Sequence, residues 1–331
     1  MRALITGGAG FIGSHLAEEL LRRAWGVCIL DDLSTGAREN IQALLGREEV
    51  RFVKGAVFER KVVQRLVDES DVVFHLAAAV GVRYIIDHPL RSLQVNVQGT
   101  ETVLEACFRA GRKVLLASTS EVYGKNGNGG FREGDDLVLG NTTTGRWGYA
   151  CSKALDEFLA MAYHRDMELP VIIVRFFNTC GPRQAGRYGM VIPRFVRQAL
   201  LGEPITVYGD GKQTRSFIHV SDAVGAVLGL MEHPRAVGQV FNIGNPEAIT
   251  IEALAHKVKA MTGSPSPIAY IPYTEAFADG FDDMRHRVPD ISKIQALIGF
   301  RPRVLLDEML RRVIDYTAAE LGAAEVTANK T

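Results

Sequence analysis

Short runs of apolar, often β-branched residues alternate with longer amphipathic stretches through the first half of the chain. RALIT at 2–6, VCIL at 27–30, VRFV at 50–53, DVVFHL at 71–76, KVLLAST at 113–119 and VIIVRFF at 171–177 have the length and composition of strands. They are mainly apolar rather than alternating, the pattern of strands covered on both faces. The helical stretches between them therefore predict a parallel sheet with helices on each side. After Asn178 the pattern loosens into GPRQAGRYGM and GSPSPIAYIP, with one more strand over QVFNIG at 239–244 and helical stretches near 192–201, 221–231, 250–262 and 305–318. The predicted fold class is α/β: a doubly wound parallel sheet with a smaller, interleaved α/β lobe.

The 331 residues carry 38 Lys and Arg against 38 Asp and Glu, so no net field draws the chain to nucleic acid or an anionic membrane. Any anion must be held by local design. No apolar run reaches the ~18 residues of a membrane span, and no leader-like segment precedes the strand at Arg2. The expectation is a soluble, cytoplasmic protein with no membrane or nucleic-acid partner. Cys28, Cys107, Cys151 and Cys180 lie far apart without a CxxC pair, which predicts reduced thiols and no metal site.

TGGAGFIG follows the first strand directly and opens a helix. Gly7, Gly10 and Gly13 have the spacing that lets a tight turn bring a helix N-terminus against a pyrophosphate, the Rossmann arrangement. Asp31 ends the second strand, where a carboxylate accepts hydrogen bonds from ribose hydroxyls and repels a 2'-phosphate, so NAD is expected rather than NADP. On this reading residues 1–178 form the dinucleotide domain, with 216–244 returning to it. Residues 179–215 and 245–320 form the substrate lobe, and 321–331 a frayed polar tail.

Tyr149 and Lys153 are i and i+4 and project from one helix face. A free tyrosine, with a pKa of about 10, is a poor base near neutrality, and a neighbouring ammonium is expected to bring it down. Thr119, ending a sheet strand where ligands gather in open α/β folds, can share a substrate proton with the phenol. Glu121 stands two residues beyond it, in TSEVYG, either as a base or acid for further chemistry or as a structural ion pair or loop anchor.

These residues resemble the extended short-chain dehydrogenase/reductases that modify nucleotide-linked sugars. The likeness runs through TGGAGFIGSHL, DDLSTG, HLAAAV, VNVQGT, TSEVYG, YACSK, RFFNTCGPR, VYGDGKQTRSFIHVSD and FNIGNP to RHRVPDISK. It implies tightly held NAD, contacted by Gly7, Gly10, Phe11, Ile12, Gly13, Asp31, Leu33, Thr35, Gly36, Val57, Leu76, Ala77 and Ala78 together with Tyr149 and Lys153. It also implies an oxidising set of Thr119, Tyr149 and Lys153, and Asn178 and Arg215 near a substrate diphosphate, with Val191 and Asp290 in the same pocket. A homodimer built on helices beginning near Ser92 and Tyr149 is implied as well. One departure is GAVFE after the third strand, where Ala56 replaces the aspartate that commonly meets adenine.

Such enzymes are expected to begin by oxidising the sugar at C4. A C4 ketone makes a C5 carboxylate a β-keto acid that loses CO2 readily. Glu121 in its TSE setting resembles UDP-glucuronate decarboxylases and GDP-mannose 4,6-dehydratases. Ser120, where dTDP-glucose 4,6-dehydratases tend to carry aspartate, argues against that branch. RWGYACSK and RHRVPDI resemble decarboxylase segments, the second assigning Arg287 beside C5, although epimerases place a pyrophosphate-binding arginine about there too. The first reading is oxidative decarboxylation of UDP-glucuronate. A UDP-sugar 4-epimerase is second, a 4,6-dehydratase third, and an NAD-sensing regulator is the alternative of a different class. A substrate carboxylate needs a cation, and the candidates are Arg83 beside Tyr84, Arg183 and Arg187. His75 and His219 lie in apolar runs and read as core or loop residues.

Overall fold

The computed structural model describes residues 1–79, 85, 87–126, 130–186, 190–276 and 284–328. Arg83, Tyr84 and Arg187 lie outside them. The first half runs β1 (Arg2–Thr6), α1 (Phe11–Arg22), β2 (Gly26–Asp31), β3 (Val50–Lys54), α2 (Arg60–Asp68), β4 (Val72–His75), α3 (Pro89–Ala110), β5 (Lys113–Thr119), α4 (Arg146–Met167) and β6 (Val171–Phe176). Then follow β7 (Thr179–Cys180), α5 (Val191–Leu201), β8 (Ile205–Tyr208), β9 (Thr214–Ser216), β10 (Ile218–His219), α6 (Val220–Glu232), β11 (Gln239–Ile243), β12 (Ala248–Thr250) and α7 (Ile251–Thr262). The chain closes with β13 (Ile268–Ile271), α8 (Tyr273–Ala276), β14 (His286–Arg287), α9 (Ser292–Ile298) and α10 (Leu306–Ala328).

Among the described residues, seven strands form one parallel sheet in the order β11-β6-β5-β4-β1-β2-β3. The order reverses between β1 and β4, the switch point where open α/β sheets bind ligands. Neighbouring strand residues feed opposite faces. Ala3 and Ile5 pack with Leu16 and Leu20 of α1 and Val224 and Val227 of α6. Leu4 and Leu116 pack with Val63 and Leu66 of α2 and Val103 and Leu104 of α3. This is why the strands read as unbroken apolar runs. Strand β11 pairs with β6, from Gln239 against Ile172 to Ile243 against Phe176, so the chain returns to the sheet after β7–β10.

The lobe beyond the sheet has its own core, in which Phe195 and Val196 of α5 meet Leu254 and Val258 of α7 and Met309 and Leu310 of α10. One correction concerns the C-terminus. Helix α10 continues to Ala328, through residues read as a tail, because GAAEVTA contains several good helix formers and no proline. Among the described residues no helix is long and apolar enough to cross a membrane.

Candidate active site

A cleft of about 1320 Å³ opens along the C-terminal ends of the strands. At its dinucleotide end the glycines are sterically required. A Cβ on Gly13 would lie 2.3 Å from the Gly7 carbonyl oxygen, and one on Gly7, whose φ is +72°, would lie 2.7 Å from the backbone nitrogen of Ala77. The turn therefore presses α1 against the sheet. The N-terminus of α1 has neither a side-chain cap nor an acidic residue in its first turn, so its N–H groups remain available to an anion. Phe11, Ile12, Thr35, Gly36, Val57, Leu76, Ala77 and Ala78 line the same stretch.

Asp31 closes this end. Its carboxylate accepts from Ala9 N at 2.9 Å and Leu33 N at 2.8 Å. Burial pushes its pKa up while those backbone donors pull it down. Leu33 corrects the sequence reading, because it does not line the cleft and acts through its backbone N–H, in a left-handed conformation with φ 63°. At Ala56 the aspartate is absent as read, and the Ala56 N–H donates to Glu59 Oε1 at 2.7 Å instead.

Deeper in the cleft, Thr119 ends β5 and its hydroxyl accepts from Glu121 N at 3.2 Å, turning the strand into a 3₁₀ turn over Ser120–Tyr123. The turn is anchored from behind. Tyr123 stacks on Phe131 at 4.6 Å, donates to Asn242 Oδ1 at 2.7 Å and lies under the Arg175 guanidinium at 4.7 Å. Arg175 in turn chelates Glu157 of α4. Glu121 consequently projects forward into the cleft, where it forms an ion pair with Arg287 from β14. The second amino group of Arg287 donates to Asn178 Oδ1. Asn178 is held at φ 26°, a strained left-handed conformation of the kind concentrated at functional sites. The two residues singled out for C5 chemistry, 166 positions apart, thus meet, and they are only 15% and 14% exposed.

Tyr149 lines the cleft beside them and hydrogen-bonds the Thr119 hydroxyl. Its ionisation contradicts the sequence reading. Burial pushes the phenol well above the usual tyrosine range, and the Glu121 charge pushes it further. The Thr119 hydroxyl and Arg287 pull less strongly the other way. Lys153 Nζ donates to Asp156 Oδ2 at 2.7 Å, with both side chains buried, and the Asp156 charge adds to the upward push on the phenol.

The substrate candidates divide. Arg215 and Arg287 are register partners on β9 and β14 and both line the cleft, as do Asn178 and Val191. Arg183 also lines it, but its guanidinium is committed to Glu18 Oε2 at 2.6 Å and to the Asn40 carbonyl at 3.0 Å, which makes it a clasp onto α1 rather than a substrate cation. Asp290 is not in the cleft: its carboxylate accepts from Ser292 N at 2.8 Å and from Arg132 at 3.0 Å, starting α9. Sequence reasoning missed Tyr208, Gln213, Phe217 and Tyr273 along the lobe wall, polar and aromatic residues in a segment without strong periodicity.

His75 and His219 are structural. His75 bridges Thr6 Oγ1 at 2.7 Å and Thr100 Oγ1 at 3.1 Å, and burial pushes its pKa down to about 3; that of His219 falls to about 4 for the same reason. Because the folded values lie below the unfolded ones, the unfolded chain binds more protons in acid. Stability contributed by the two rings is full above about pH 6.5 and falls by up to ~1.4 kcal/mol per unit for each ring as pH drops below it. Urea unfolding at pH 7 and pH 5 should show this loss, and His75→Asn should reduce the slope.

Among the described residues, no group of three His, Cys, Asp or Glu side chains is arranged to hold a metal. A doubly wound sheet, an uncapped helix N-terminus facing its switch point, and Thr119, Tyr149 and Lys153 at the far end define a dehydrogenase-type site of the short-chain class. The chain belongs to the NAD dependent epimerase/dehydratase family, whose profile matches residues 3–244, and its cofactor is NAD. It is 41% identical to a UDP-N-acetyl-alpha-D-glucosaminuronate decarboxylase of Bacillus cytotoxicus, over 95% of this chain and 97% of that one. It is 36% identical to UDP-glucuronic acid decarboxylase 1 of Danio rerio, over 97% of this chain and 73% of that one. Among solved structures, a UDP-glucuronic acid 4-epimerase from Bacillus cereus in complex with UDP-glucuronic acid and NAD superposes with a TM-score of 0.86 at 30% identity, covering 96% of this chain and 98% of that one.

Proposed function

We propose that the protein is an NAD-dependent decarboxylase of a UDP-linked uronic acid, with UDP-glucuronate as the first substrate and UDP-xylose or its 4-keto precursor as product. The observation that carries the reading is the Glu121–Arg287 pair facing Tyr149 and Thr119 across one cleft.

Thr119 and Tyr149 hold the sugar C4 hydroxyl between them, and Tyr149 takes its proton. NAD, held by the glycine turn and Asp31, would supply the hydride acceptor for C4. The C4 ketone then lies β to the C5 carboxylate. The bond from C5 to the carboxylate carbon breaks, CO2 departs, and its electron pair forms the C4–C5 enolate, whose oxygen is held by the Thr119 hydroxyl and the protonated Tyr149. A proton from water is then delivered to C5 beside the Glu121–Arg287 pair, taking the place of the lost carboxyl group. Arg287 is assigned the substrate carboxylate, with Asn178 and Glu121 fixing its plane. Arg215, its neighbour on β9, serves the diphosphate.

The relative at 41% identity favours a second substrate, the 2-acetamido uronate. The two are separated by comparing kcat/KM on UDP-glucuronate, UDP-N-acetylglucosaminuronate, UDP-glucose and UDP-galactose, with products read by NMR. Both acids should exceed the neutral sugars by about 10²-fold or more, since a neutral sugar offers Arg287 no charge-assisted hydrogen bond and has no carboxyl group to lose. Equal turnover of acid and neutral sugars would refute the reading.

We also propose a homodimer in the cytoplasm. Leu90 and Leu93 on α3 and Leu155 and Phe158 on α4 stand exposed, Phe158 by 70%, which supports an apolar face awaiting a second copy. The four free cysteines fit a reducing compartment. Phe158→Arg should convert a dimer to a monomer in light scattering; an unchanged mass would exclude that face.

A further inference from the structure

Three residues beyond Lys153 on α4, Asp156 lies wholly inside the protein, 0% exposed, with Lys153 at 2%. A buried ion pair gives up the hydration of both charges, and a well-packed apolar pair often serves stability as well or better. Its place against α3, about two turns along α4 from the phenol that does the chemistry, calls for another account. The Thr100 hydroxyl of α3 supports the carboxylate on one side, and Thr100 is itself tied through His75 to Thr6. The second oxygen, Asp156 Oδ1, has no hydrogen-bond partner among the described residues, so the carboxylate is held chiefly by Lys153.

The other ionisable groups around Tyr149 are already accounted for. Glu121, from the turn after β5, is paired with Arg287 of β14. Glu157, on α4, is closed by Arg175 of β6 and by Ser118 of β5. His75, on β4, is held uncharged by burial and by the Lys153 charge. Beside Arg287, which pulls weakly on the phenol, Lys153 is the cation one helical turn from Tyr149, and Asp156 at 2.7 Å opposes its field.

We propose that Asp156 is a positioning residue for the reaction: it draws Lys153 against the inner side of α4 and offsets its charge, keeping Tyr149 a neutral phenol in the resting protein. The assignment rests on the reading of Tyr149 as the C4 base. Burial and the Asp156 charge both oppose ionisation of Tyr149, in agreement.

The test follows the Tyr149 ring directly, using protein labelled with ¹³C at tyrosine Cζ, loaded with NAD but given no sugar, with the Tyr149 line identified by its loss in Tyr149→Phe. In Asp156→Asn the midpoint should fall by about one unit, as expected for an uncancelled cation within ~4–6 Å, and Asp156→Glu should stay near the parent. A midpoint that is unchanged or higher in Asp156→Asn overturns the proposal. A double variant, Lys153→Met with Asp156→Leu, removes both charges and covers the case in which the single variant does not fold. Its midpoint should stay within about half a unit of the parent, and a rise of a unit or more would show that Lys153 acts on the phenol uncancelled, again overturning the proposal. No sugar is needed, so a protein that titrates as expected yet leaves UDP-glucuronate untouched would refute the proposed reaction and not this assignment.

Discussion

Tyr149→Phe is expected to lower C4 oxidation by about 10²–10⁴-fold, the range of a positioned general base, with little change in fold or in NAD affinity. The phenylalanine keeps the ring that lines the cleft and removes only the oxygen that hydrogen-bonds Thr119. Rapid-mixing absorbance of the reduced nicotinamide, with thermal melting as the control, reads both. The parent should show a rate that rises with pH through the neutral and alkaline range, because burial and the Glu121 charge keep the phenol protonated there. The variant should lose that dependence. A regulator that merely senses NAD would show neither effect, and retention of the protein's cellular role by Tyr149→Phe would favour that reading.

Glu121→Gln should separate the two halves of the reaction. Removing the carboxylate leaves an amide that can still hydrogen-bond Arg287, so the turn and the Arg287 plane survive. It also removes a negative charge that holds the Tyr149 proton on. The sign follows: with Glu121 neutral the phenol ionises more easily, and the pH midpoint of C4 oxidation moves down. Protonation of C5 after loss of CO2 loses its neighbouring carboxylate and should fall by about 10²-fold or more. Single-turnover experiments would then show reduced nicotinamide accumulating. Equal loss of both steps would return Glu121 to the role of loop anchor.

Much of this was legible before any coordinate. Runs such as VIIVRFF announced strands buried on both faces, and TGGAGFIG announced the turn, because backbone close approach admits only glycine at Gly7 and Gly13. Glu121 and Arg287 were picked from separate segments, and their meeting depended on β14 joining β9, a pairing of two residues that leaves no periodic trace. Three features could not be read this way. Arg183 was named for its place on a loop near the sheet ends and Asp290 from the resemblance, whereas the partners they take, Glu18 and Arg132, are distant in sequence. The ionisation of Tyr149 was misjudged because an i, i+4 neighbour was weighed without the burial of the phenol and the charge of Glu121. The helix beyond Leu321 was missed because its polar, alanine-rich sequence carries no strong apolar stripe.

The central claim is that the C4 ketone made at Tyr149 is used to expel the C5 carboxyl group. Protein supplied with NAD and UDP-glucuronate carrying ¹³C at C6 should release the label as carbon dioxide and bicarbonate, one equivalent for each pentose-configured product. Label retained in a galacto-configured uronate, with no gas, would contradict the account and leave a 4-epimerase in its place.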